Sequence, residues 1–252
     1  MTNHQKQFIK LLRADHDARP SQVFEWWAEM AYCAMAKTTS PQPRADELEA
    51  RYIQLVGRAG RERVQRFPEM LGLVGRAMDE HDGRDFLGPI MMSDEVNAAN
   101  SYIGQFFTPW DLCVLMSEMT LADDLFEGKP FARIGEPAVG AGAMILAIAQ
   151  VMRRRGIDVT TRAWFDCTDL SSLAFYMAYI QMSFAGLSGV IRHGNSLTLE
   201  QFDAALTTPV HRFFGVHGPD ALRDAPAPTV TTTIGGAPWQ ADLFGAPVET
   251  AQ

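Results

Sequence analysis

Cysteine is scarce in this chain: Cys33, Cys113 and Cys167 are the only three among 252 residues, and they stand far apart with no CxxC pair. A disulfide framework and a zinc knuckle both need paired thiols, so neither is supported, and the six histidines show no metal-ligand spacing. Long apolar runs are missing too. No stretch reaches the roughly 18 to 20 residues of a membrane span, and the opening MTNHQKQFIK lacks the apolar centre of a signal peptide. A soluble protein in a reducing, cytoplasmic setting is expected, with no membrane contact. Positive charge is in deficit, 22 Lys and Arg against 30 Asp and Glu, for a net charge of −8. Coating nucleic acid without regard to sequence relies on clustered cations, so any DNA contact is expected to be local.

What is present is apolar content, 47% of the residues, enough for one good-sized core without disulfides or metals. From Gln5 to about Asp82 the apolar residues recur at helical spacing: Phe8, Leu11 and Leu12, then Val23, Trp26, Trp27 and Met30, then Leu48, Tyr52, Leu55 and Val56. A loop interrupts this half at Pro41 and Pro43, and Asp46 stands near the start of the next helix, where a carboxylate favours the amide dipole. Beyond residue 131 short apolar runs alternate with longer helical ones, the texture of βαβ units on a parallel sheet. Strands are expected near 131–136, 163–168, 189–193 and 203–206, with helices over 142–155 and 171–185. The expected organisation is a helical region over 1–95, an α/β domain over 96–217 and a flexible Pro/Gly-rich tail over 218–252.

The chemistry-bearing signal is Glu136-Pro137-Ala138-Val139-Gly140-Ala141-Gly142, a strand running into a glycine turn that opens a helix. Glycines let the backbone approach a ligand closely, and the helix start offers unpaired amides. Asp169 stands at the end of the second strand, where an acid of a doubly wound sheet commonly holds ribose hydroxyls. By spacing alone these residues suit any nucleotide-type ligand, NAD included, or a tight turn that binds nothing. Upstream stands Gly104-Gln105-Phe106-Phe107-Thr108-Pro109, ahead of the helical run from Leu112 to Met119; Thr108 as N-cap and Pro109 in the first turn is a second reading of the same residues. Downstream follow Asp169-Leu170-Ser171-Ser172 with its helix, and His193-Gly194-Asn195-Ser196-Leu197, in which Asn195 can also simply cap a turn.

Taken together and in this order, the glycine turn, the Gln-Phe-Phe-Thr-Pro box, the Asp169 segment and the Asn195 segment resemble the N6-adenine DNA methyltransferases, in particular the modification subunits of type I restriction systems. The resemblance runs from about Asp85 to Phe214. It implies a class I methyltransferase fold, Rossmann-like with a mainly parallel sheet, here truncated and preceded by a helical region. It implies S-adenosyl-L-methionine as cofactor, held by Phe107, Thr108, Pro109, Glu136, Pro137, Gly140, Gly142, Asp169 and Asn195. It also implies DNA as substrate and a specificity or restriction subunit as partner.

The chain departs from the family where the reaction is performed. Such enzymes carry Asn/Asp-Pro-Pro-Tyr/Phe at the end of the fourth strand, where polar acceptors hold the adenine amino group and the ring stacks on the flipped base. Counted from Phe202-Asp203, which resembles the usual lead-in, the motif falls on Thr208-Pro209-Val210-His211. Thr208, Pro209 and His211 are thus the expected catalytic residues, with a hydroxyl acceptor and a flat ring. The alternative is a catalytically silent cofactor-binding module or a subunit of a larger modification or anti-restriction assembly. Among the remaining motifs, Arg58, Arg61, Arg63 and Arg66 read as a solvated helix face, and Arg153 to Arg155 as cations closing a helix. In the tail, Gln240-Ala241-Asp242-Leu243-Phe244 resembles the peptide that docks on the bacterial sliding clamp, with Gln240, Leu243 and Phe244 as contacts.

Overall fold

The computed structural model describes residues 1–15, 17–97, 108–122, 125–223 and 230–231. The helical half comprises α1 (Asn3–Leu12), α2 (Pro20–Ala36), α3 (Arg44–Ala59), α4 (Arg61–Val64), α5 (Phe67–Glu80), α6 (Leu87–Met91) and α7 (Asp94–Asn97). Local chemistry explains its boundaries. Thr2 and Gln5 form a reciprocal capping box at α1, Pro20 opens α2 at a position that needs no amide hydrogen, and Asp46 lies in the first turn of α3. Helix α2 is apolar on most of its surface, because it lies inside the molecule: Val23, Phe24, Trp27, Met30 and Tyr32 are all buried. Trp27 is 1% exposed and donates to the Phe67 carbonyl, while Trp26 packs at the rim.

The second half runs α8 (Trp110–Thr120), β1 (Ala132–Glu136), α9 (Ala143–Arg154), α10 (Val159–Arg162), β2 (Ala163–Asp169), α11 (Ser172–Phe184), β3 (Gly189–Asn195), β4 (Glu200–Leu206), α12 (Val210–His217) and β5 (Val230–Thr231). The sheet order is β4-β3-β2-β1-β5. Strands β1, β2, β3 and the two-residue β5 are parallel, whereas β4 is antiparallel to β3. The expected mixed α/β architecture, a mainly parallel sheet with an N-terminal helical region, is therefore present.

The two faces of the sheet differ. Ala132, Ile134, Phe165, Cys167 and Ile191 pack under α9 and α11 in a core that continues without a break into Phe8, Phe24, Trp27 and Tyr32. Tyr32 is the hinge between the halves, with Phe175, Tyr176 and Tyr179 of α11 around it at 4.8 to 5.1 Å. On the other face Phe131, Trp164 and Val190 are covered by Val210 and Phe213 of α12. Above them lies a charged layer in which Asp166 takes Arg133 at 2.8 Å and Arg192 at 3.5 Å.

Two expectations are corrected. The strand expected at 203–206 starts at Glu200 and runs against the parallel direction, because the 196–199 connection is far too short for a crossover and must fold back as a hairpin. The tail expected after residue 218 supplies β5, which pairs with β1 through Ile134 and Gly135. Of the arginines read as a solvated face, Arg63 binds Asp15 through both its Nε and its second terminal nitrogen and lies over the Trp26 ring, and Arg66 also reaches Asp15. Arg153 and Arg155 stand at the end of α9, but their guanidinium groups donate to the Ala185 and Leu121 carbonyls, which end α11 and α8.

Candidate cofactor site

The crevice at the carboxyl ends of β1, β2 and β3 is built around a turn that only glycine accommodates. Gly140 and Gly142 have φ of 56° and 101°, in the left-handed region that a Cβ disfavours. The turn is tied down on three sides. The Val139 amide donates to the Thr168 carbonyl at 2.9 Å, the Gly142 amide donates back to the Val139 carbonyl at 2.9 Å, and the Ala138 amide donates to Glu136 Oε1 at 3.0 Å. Glu136 is only 8% exposed, so its role includes shaping the turn from below, with Pro137 following it. Beyond Gly142 the opening amides of α9 lack partners within the helix and face the crevice end.

Asp169 joins β2 to this turn. Its Oδ2 accepts the Gly140 amide at 2.8 Å and its Oδ1 accepts the Ser171 amide at 2.8 Å, so each carboxylate oxygen keeps one lone pair for a ligand. Ser171 caps α11 through the Ala174 amide, which fixes the backbone that carries Asp169. At the end of β3, Asn195 Oδ1 accepts the Leu197 and Thr198 amides at 2.9 and 3.2 Å; its Nδ2 has no partner among the described residues.

Two exposed apolar residues follow the polar groups of β2 and β3 closely in the chain. Leu170 is 61% exposed and Leu197 is 90% exposed, each one or two residues beyond a polar ligand-facing group. The signal was present in the sequence: an apolar residue directly after the acid, and another closing the Asn195 turn.

The remaining expected residues divide. Thr108 and Pro109 enter α8, which lies along α9 with Cys113 against Ala143 and Ala147, so they stand on the α9 side of the turn. Thr108 is not the N-cap: Pro109 occupies that position and the helix begins at Trp110. Phe107 lies outside the described residues, as do Gln240, Leu243 and Phe244. Burial raises the Cys113 thiol to about 11 and the Cys167 thiol well above its ordinary value, so neither is poised as a thiolate.

Thr208, Pro209 and His211 are not part of this crevice. Thr207 donates to the Leu187 carbonyl and accepts the Gly189 amide, which fixes this segment at the amino end of β3. The Thr208 amide donates to the Ser183 hydroxyl oxygen, Pro209 is the N-cap of α12, and His211 Nδ1 contacts the Thr208 carbonyl. From Gly189 to Asn195 the strand rises about 20 Å. The expected catalytic residues therefore sit at the opposite end of the sheet from the cofactor turn, a direct consequence of the antiparallel β4.

The family model described as N-6 DNA Methylase matches residues 84–212, just over half of the chain. No curated protein and no solved structure matches the chain.

Proposed function

Since the chain belongs to the N-6 DNA methylase family, we propose that it binds S-adenosyl-L-methionine in the crevice above β1, β2 and β3 and serves methyl transfer to adenine N6 in DNA. The observation that carries the cofactor is Asp169 locked to Gly140 with lone pairs to spare. The residues fit the group in kind. Asp169 would accept ribose hydroxyls, the Asn195 amide would donate to the adenine edge, and the exposed Leu170 and Leu197 would offer apolar surface to the ring. The Gly140 to Gly142 backbone and the α9 amides receive the polar methionine end, with Glu136, Pro137, Thr108 and Pro109 beside them. When bound, S-adenosyl-L-methionine supplies an electrophilic methyl group on sulfur.

What holds the target base is a separate matter. The strand across β1 is β5, whose carboxyl end faces the same crevice at the point where the strand order reverses, the usual ligand position in open α/β sheets; the chain from 232 onward lies outside the described residues. The position of Thr208 and His211 favours a second reading, a cofactor-binding module that is catalytically silent or is completed by a specificity or restriction subunit. DNA, such a subunit and a sliding clamp reached through Gln240, Leu243 and Phe244 are the proposed partners.

Calorimetric titration with S-adenosylhomocysteine against NAD, run beside transfer of labelled methyl groups to mixed-sequence DNA, separates these readings. Binding with transfer supports the enzyme. Binding without transfer, with or without an added specificity subunit, leaves the silent module. Preference for NAD, or no binding at all, removes the proposal.

A further inference from the structure

The glycine turn is held from behind by a buried polar network that reaches into the helical half. At its centre is Gln181 of α11, 0% exposed and flanked by Ile180 and Met182. Its Nε2 donates to the Ala141 carbonyl at 2.7 Å and to Asp85 Oδ1 at 2.9 Å. Its Oε1 accepts the Phe86 amide at 2.7 Å and the Leu87 amide at 3.1 Å. Both donors and both acceptor sites of the amide are thus used. Asp85 Oδ1 also accepts the Gly88 amide at 2.9 Å, and the Phe86 carbonyl accepts Gln5 Nε2 at 2.9 Å, with Gln5 itself part of the α1 capping box. One amide therefore links residues 5, 85 to 88, 141 and 181.

The peptide plane between Ala141 and Gly142 is clamped at both edges: its carbonyl by Gln181 and its amide by the Val139 carbonyl. Gly142, on its carboxyl side, has the left-handed φ of 101° that a glycine permits, so the two bonds that restrain this plane decide how the turn presents itself to a ligand. We propose that Gln181, oriented by Asp85, is a positioning residue for the cofactor turn, and that the turn is ligand-ready only when the 85–88 segment of the helical half is docked. This rests on the cofactor reading above. The carboxyl of Asp85 is raised by desolvation and pulled back by its bonds from Gln181 and Gly88, so a neutral acceptor can take its place. A methyl group at Gly88 would overlap the Asp85 carboxylate, which breaks the network without altering Gln181, Asp85 or the turn.

The test is S-adenosylhomocysteine affinity of the full chain by calorimetry, with thermal melts to confirm folding. Gly88→Ala and Asp85→Ala should each weaken binding about tenfold, the value of one positioning hydrogen bond. The double variant should be no weaker than either single one, because both cut the same link. Asp85→Asn keeps an acceptor for both amides and should stay within about twofold of wild type, as should Trp27→Phe, which loosens the helical core away from the network. The inference is overturned if Gly88→Ala and Asp85→Ala bind like wild type, if their losses multiply, or if Trp27→Phe loses as much. Should Gly88→Ala not fold, Gln181→Asn, which keeps the amide but shortens its reach by one methylene, takes its place under the same criteria. Wild type that does not bind removes the cofactor reading and the inference together; wild type that binds beside indifferent variants removes the inference alone.

Discussion

Asp169→Asn is the sharpest probe of the crevice, because it keeps the shape of the side chain and changes only its acceptor count. Each carboxylate oxygen already accepts a backbone amide at 2.8 Å, Gly140 on one side and Ser171 on the other. An asparagine has one acceptor oxygen, so its NH2 must face one of these two amides, donor against donor. One part-buried charge-assisted hydrogen bond is lost and one amide is left facing a donor, a loss of about 1.5 to 3 kcal/mol. The ligand side loses as well, since only one lone pair remains for two ribose hydroxyls. Affinity for S-adenosylhomocysteine should fall by a factor of about 10 to 100. The broken turn should lower the melting temperature by about 3 to 8 °C in a chain of this size. Calorimetry gives the first quantity and a thermal melt the second. Wild-type affinity in folded Asp169→Asn would refute the reasoning, because nothing else at the end of β2 supplies a carboxylate to the turn.

Thr208→Val and His211→Ala should leave S-adenosylhomocysteine affinity within about twofold of wild type, since they sit about 20 Å from Asn195 along β3; a large loss in either would place them at the cofactor after all. Asp203→Ala should cost about 2 kcal/mol, read from the urea midpoint. Asp203 accepts Arg44 at 2.5 Å and Tyr32 at 3.3 Å and thereby ties β4 to α2 and α3; the value is discounted because the arginines at this site are a third exposed. Asp15 is held below the ordinary carboxylate range by the hydrogen bond from Arg63, which outweighs the opposing burial, with Arg66 adding to it. Its folded value is depressed, so its contribution is complete above the unfolded value near 4 and is lost as pH falls through the folded one. Asp15→Asn should therefore lower stability at pH 7 and leave the urea midpoint less sensitive to acid below about pH 4 than in wild type; equal acid sensitivity in both proteins would contradict this.

Some of the site is plain in the sequence because its chemistry is local. Strands β2 and β3 are buried over most of their length and open on short apolar runs, β1 alternates buried and half-buried residues, and the left-handed turn requires glycine at 140 and 142 whatever surrounds it. Gln181 is different in kind. A glutamine between Ile180 and Met182 in a helix buried from Ala174 to Ser183 announces that an amide inside the core must be satisfied. Its partners come from 40 and 96 residues away, and only the packed tertiary structure identifies them. Strand β5 leaves even less trace: two residues in a Pro/Thr stretch carry no period.

The position of Thr208 to His211 at the amino end of β3 follows from a length. β3 ends at Asn195 and β4 begins at Glu200, leaving four residues between them, whereas a parallel return needs a dozen or more. A strand at 200–206 beside β3 must therefore run backwards. Whatever follows a backward strand emerges at the amino ends of its parallel neighbours, away from Gly140, Asp169 and Asn195. The resemblance of Phe202-Asp203 to a lead-in of the fourth family strand pointed the other way, but a two-residue likeness does not change what a connection can span. The next stretch long enough to cross the sheet is the one that carries α12, and it delivers the chain to β1 as β5, parallel and with its carboxyl end at the crevice. In this chain the strand that can bring groups to the crevice of Gly140, Asp169 and Asn195 is therefore the one after α12, not the one before it.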